Sequence, residues 1–117
     1  MITLPCHITV SQSRSAGEIY LEADRIIQEM IQYIVKNRVK PIPQEGEVVE
    51  FKRRKPEDSN MTGECNHLKE VHDFIRMLDA EGYQHAFITK DGFKFEFTRS
   101  SLKRDHIIAD VKISRID

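Results

Sequence analysis

Hydrophobic and polar positions recur along this chain in two distinct periods. From Ser15 to about Asn37, Ile19, Ala23, Ile26, Ile27, Met30 and Ile34 follow one another at spacings that trace the 3.6-residue repeat of an amphipathic helix. Glu22, Arg25, Gln28, Glu29, Gln32 and Lys36 fill the other face. Ser15-Ala-Gly-Glu18 has the form of a capping box, in which the serine hydroxyl takes the Glu18 amide proton and the glutamate reaches back. A second helix is predicted from about Asn66 to Glu81. Leu68, Val71, Ile75 and Leu78 form its stripe with Phe74 beside them, and Gly82 suits a left-handed C-terminal cap.

The second period is two. Phe93, Phe95 and Phe97 alternate with Lys94, Glu96 and Thr98, which predicts a strand with one buried face and one wet face. Asp91-Gly92 just before it is the signature of a two-residue hairpin turn, so Tyr83 to Lys90 is its partner strand. Ser100 to Arg104 turns the chain again, and His106 to Ile116 alternates as a final strand. Ile2 to Val10 is rich in β-branched residues and reads as a strand, with Pro5 marking an edge or bulge. Pro41 to Gly46 breaks the chain, Glu47 to Arg53 reads as a short strand, and Lys55 to Gly63 as a polar loop. The resulting order is β-α-β-α-β-β-β. It predicts a single α+β domain over 1–117, with one mostly antiparallel sheet and two helices packed on one of its faces.

Composition narrows the setting. The chain has 117 residues, with 18 Lys and Arg against 19 Asp and Glu, so its net charge is close to zero. That balance speaks against a strongly basic dedicated nucleic-acid binder. Charge interrupts every apolar stretch, so no membrane span is expected, and the N-terminus lacks the features of a secretory signal. Two cysteines, Cys6 and Cys65, cannot build a disulfide framework, which points to the cytoplasm.

Three clusters carry candidate chemistry. Glu50-Phe51-Lys52 on a predicted strand resembles the E-x-K element of metal-dependent nucleases, across about 40 residues of chain. That resemblance implies a carboxylate on Mg²⁺ and a lysine beside the attacking water. The nuclease pattern also has an Asp ahead of this element, and no Asp lies between Pro41 and Val49. Cys65, His67 and His72 are metal-ligand types, but their spacing matches no tetrahedral zinc motif, so no metal or other cofactor is expected. Lys52-Arg53-Arg54-Lys55 places four positive charges side by side, and Lys103-Arg104 adds a second pair. Such runs attract phosphates. The glycines are scattered singly, without a phosphate-cradling loop, and no catalytic constellation is evident.

The first helix carries more apolar surface than one sheet face covers. Leu21, Ile31 and Val35 lie beyond its main stripe and are candidates for a partner or homodimer interface. At roughly 30–34 Å it is also long against the radius of gyration of about 13 Å expected of a compact chain this size. The sequence therefore predicts a small non-enzymatic binding or regulatory protein acting on a protein partner or as a homodimer. The alternatives are nucleic-acid binding through the 52–55 run and a divergent metal-dependent nuclease.

Overall fold

A computed structural model describes residues 14–63 and 65–117. The strand expected over 2–10, and Cys6 within it, lie outside the described residues. Helix α1 spans Ala16–Asn37. Its capping box forms as the sequence predicts: the Glu18 amide donates to Ser15 Oγ at 3.3 Å, and the Ser15 amide donates to Glu18 Oε2 at 2.9 Å. Arg38, left-handed at φ 45°, ends the helix.

Helix α2 spans Leu68–Met77, and the sheet consists of β1 (Ala86–Lys90), β2 (Phe93–Leu102) and β3 (Ile107–Arg115). The strands are antiparallel in the order β1-β2-β3. Asp91 and Gly92 take φ values of 52° and 79°, the double positive φ of the hairpin turn their sequence announces. The register sets Phe95 between Ile88 and Ile113, and Phe97 between Ala86 and Val111. One face of the sheet is thereby apolar. The α+β class and the antiparallel meander are as the alternation predicted.

The core is small. Ile75 and Leu78 from α2 and its C-cap meet Ala86 on β1, with Met61, Val71, Phe74 and Phe97 packed around them. Ala86 is fully buried, and its small side chain admits the larger residues of α2.

Four expectations are corrected. Residues 47–53 form no strand: Val48, Val49 and Phe51 are 88%, 67% and 90% exposed, with no face on which to bury their alternation. The outer edge of β1 is met further along, where Asn60 bridges Phe87 in parallel and the Met61 amide donates to the Phe87 carbonyl at 2.9 Å. Second, α2 stops at Met77 rather than near Glu81. Its last turn tightens through amides of Leu78 and Asp79 that reach back three residues, and Gly82 (φ 83°) serves the following turn. Third, β2 does not turn at Ser100. A bulge at Arg99 (φ 50°) absorbs one extra residue between the Thr98–Asp110 and Ser101–Ile108 pairs, and the strand continues to Leu102.

Fourth, the two helices do not share a sheet face. α2 lies on β2, whereas α1 meets the body through its first turns. Ala16 is buried, and the Gly17 amide donates to the Asp79 carbonyl at 2.9 Å. A Cβ on Gly17 would stand 3.2 Å from that oxygen, so glycine is what permits the approach. Beyond Tyr20 the helix projects, and the molecule reaches 59 Å along its longest axis. Among the described residues the sheet is three strands wide, and α2 packs on it around Ala86 and Phe97.

Candidate functional site

The basic run leads into a short 3-10 turn, Pro56–Ser59, that fixes its last residues. Proline at the first position presets the backbone. The Lys55 amide donates to Asp58 Oδ2 at 2.8 Å, and the Asp58 amide returns to the Lys55 carbonyl at 3.0 Å. Arg54 folds over the turn and donates from Nη2 to the Asp58 carbonyl at 2.9 Å. Ser59, 3% exposed, anchors the end of the turn in the body.

Two cavities adjoin this segment. One, of about 620 Å³, is lined by Arg53, Arg54 and Lys55 together with Ser59, Gly82 and Gln84. The other, of about 550 Å³, lies between the start of α1 and α2; Ile19, Tyr20, Phe74 and Met77 form its apolar walls and Arg54 stands at its edge. Arg54, Leu78 and Tyr83 belong to both, so the two run together as one groove.

Its electrostatics are one-sided. Among the described residues, Arg53, Arg54 and Lys55 form no ion pair with a carboxylate side chain. Asp73 lines the groove but is already neutralised: Arg76 Nε donates to its Oδ1 at 2.7 Å and Lys69 Nζ to its Oδ2 at 3.3 Å. The Arg76 hydrogen bond, with help from Lys69, holds the Asp73 carboxyl below the usual carboxylate range, against the opposing effect of burial. The Tyr20 and Tyr83 rings meet edge to face with centroids 6.0 Å apart, and their hydroxyls are hydrogen-bonded. That hydrogen bond holds the Tyr83 phenol above its ordinary value.

The remaining candidates fall elsewhere. Lys52 is exposed on the extended segment and lines neither cavity. Lys103 and Arg104 occupy the β2–β3 turn, closed by the Lys103 amide on the His106 carbonyl at 2.8 Å. No hydrogen bond or ion pair among the described residues joins them to the run. Glu50 and Lys52 sit on exposed chain rather than on a strand, so the E-x-K resemblance loses the scaffold it requires. His72 is 5% exposed and its Nδ1 lies 2.8 Å from Ser100 Oγ, a link between α2 and β2, while His67 stands at the N-cap position of α2 without a side-chain capping bond. Leu21, Ile31 and Val35 are 75%, 54% and 73% exposed on α1. Sequence reasoning missed Tyr20 and Tyr83. Tyr20 falls outside the helical stripe, and nothing in the local pattern of Tyr83 signals that a residue 63 positions away stands against it.

Comparison with known proteins then places the chain. Residues 56–114 match the family model for the C-terminal domain of methionyl-tRNA formyltransferase. A solved structure, methionyl-tRNA formyltransferase from Clostridium thermocellum, is 44% identical, with a TM-score of 0.81 over 87% of this chain and 45% of its own. The chain thus spans less than half the length of that relative. No curated protein matches. These findings overturn the expectation of a small non-enzymatic regulator, because what the chain shares at this level of identity is part of an enzyme. They set aside the nuclease alternative with it. No helix of the described residues is long and apolar enough to cross a membrane. The chain belongs to the family of methionyl-tRNA formyltransferase C-terminal domains.

Proposed function

We propose that this chain is the RNA-contacting part of a formyltransferase-type protein and engages tRNA through the phosphates of its backbone. The observation that carries the reading is the cation set Arg53, Arg54 and Lys55, held by the Pro56–Ser59 turn along a groove and without carboxylate partners among the described residues. Fixed cations of this kind bind phosphate by releasing condensed counterions, without needing a net basic chain. The relative's name supplies the nucleic acid, and the domain description supplies the role of a part rather than a whole enzyme. Lys52 adds one further charge to the run in sequence, and Lys103 and Arg104 form a second basic pair on the β2–β3 turn. The apolar residues Leu21, Ile31 and Val35 on projecting α1 are, in this reading, where the portion of a formyltransferase that this chain does not span packs.

The test is fluorescence anisotropy of a labelled tRNA with the full 117-residue chain at 50 and 200 mM salt. Three phosphate contacts predict an affinity loss of roughly 40-fold over that range. The Arg53→Glu, Arg54→Glu double variant is expected to abolish the salt-sensitive binding while its thermal melt stays unchanged. Wild-type-like affinity in that variant would reject the site.

A further inference from the structure

We infer that the groove between α1, α2 and the 53–56 segment seats one unpaired nucleotide of an RNA strand, its base among Tyr20, Phe74 and Tyr83 and its phosphate on Arg54. This rests on the reading above and specifies the form of RNA that the site takes.

The walls of the groove are those a base needs. A cavity of about 550 Å³ is within the range of small-ligand sites, and its lining is apolar apart from Arg54, Asp73 and the tyrosine hydroxyls. Tyr20 and Tyr83 are 56% and 42% exposed, well above what large aromatic side chains in a closed core show. Their edge-to-face arrangement, with the planes at 87°, offers a ring face and a ring edge to an entering flat group. Stacking of this kind accepts any base, because every base has a π-face.

The charge at the mouth selects the other half of the ligand. Among the described residues Asp73 is the only carboxylate of the lining, and Arg76 and Lys69 already occupy both of its oxygens, so it offers little to a ligand cation. Arg54 donates to a neutral carbonyl and keeps further N–H groups for an anion. The adjoining cavity continues past Arg53 and Lys55, which suits the next phosphate of a strand rather than an isolated nucleotide. A base paired in a duplex cannot turn into the groove to lie against these rings, so the occupant is single-stranded.

The experiment uses the full chain with a labelled 12-nucleotide RNA, either single-stranded or annealed to its complement as a blunt duplex. Tighter binding of the single strand is expected. Tyr20→Ala and Tyr83→Ala should each weaken single-strand binding by about tenfold and leave duplex binding unchanged. Tyr83→Phe, which keeps the ring, should bind like wild type. Arg54→Gln should weaken both forms. The chain has no tryptophan and three tyrosines, so in a Tyr33→Phe background tyrosine emission reports on Tyr20 and Tyr83: quenching by the single strand and not by the duplex is expected. Tyrosine variants that hold single-strand affinity within twofold, or that lose both forms equally, would overturn the inference while leaving phosphate binding intact. Adenosine monophosphate competing as well per nucleotide as the strand would assign the groove to free nucleotides and overturn the RNA occupant. Failure to bind either RNA form would overturn the proposed function as well.

Discussion

The Asp79 carboxylate accepts the Arg99 amide at 2.9 Å, at the residue where β2 takes its left-handed bulge. The same residue's carbonyl accepts the Gly17 amide at the start of α1. A single residue, two past the end of α2, therefore fastens both the first helix and the irregular point of the central strand. A non-glycine residue at positive φ is strained, and a charge-assisted hydrogen bond to its amide offsets part of that strain.

Replacing Asp79 with Ala should accordingly lower the stability of the chain by about 0.5–1.5 kcal/mol, the net contribution of one solvent-accessible hydrogen bond. Chemical denaturation followed by circular dichroism measures this. Arg99→Gly in the Asp79→Ala background should recover part of the loss, since glycine takes φ 50° without strain. No recovery would mean that strain at Arg99 is not what the Asp79 carboxylate offsets, since the carbonyl that holds Gly17 is kept in the Ala variant.

What the sequence made legible follows from how locally each feature is determined. The α1 capping box, the Asp91-Gly92 hairpin and the Phe93, Phe95, Phe97 alternation depend on residues within a few positions of one another, and all three form as read. Residues 47–53 show why the rest was not legible. Their alternation is that of a strand, but a strand also needs a neighbour, and β1 is met by Asn60 and Met61 instead. The groove is legible only in part for the same reason. Arg53, Arg54 and Lys55 are adjacent in sequence and announce themselves, whereas Tyr20, Phe74 and Tyr83 come together only once α1 docks on Asp79. Surplus apolar residues on α1 were visible as a pattern, and the structure shows them exposed.

The Asp73 carboxyl gives the chain a specific acid response. Its pKa is depressed in the folded state by the Arg76 hydrogen bond above all. A depressed carboxyl contributes stability above its unfolded value near 3.9, and loses it as pH falls through the folded value. Asp73→Asn should cost less than about 1 kcal/mol at pH 7, given that Asp73 is about one-third exposed. The difference between variant and wild type should shrink below pH 4. Thermal melts between pH 2.5 and 7 would show it; a gap that stays constant with pH would mean that the ion pair contributes nothing.

Position along the groove should rank the cations. Lys52 and Arg54 carry the same charge two residues apart, but only Arg54 lines the cavities and is held over the turn. Lys52→Gln should weaken tRNA binding about twofold and shorten the salt slope by less than one phosphate equivalent. Arg54→Gln should remove a full equivalent. Equal effects would indicate a diffuse field in place of a built contact.

Ile31 tests what the projecting helix is for. It is 54% exposed in this chain, and Leu21 and Val35 on the same helix are more exposed still. A substitution on the surface, away from packed core, caps and ion-pair networks, usually changes stability by no more than about 0.5 kcal/mol. Ile31→Glu should therefore leave the melting of the 117-residue chain unchanged and raise its solubility, since it removes one member of an exposed apolar surface. Introduced at the equivalent position of a full-length formyltransferase of this family, the same change should destabilise the protein by several kcal/mol, because a carboxylate would then be buried without a partner. If the isolated chain unfolds on Ile31→Glu, α1 folds back onto its own domain in solution. If neither protein responds, the surface is not where the remainder of the enzyme packs.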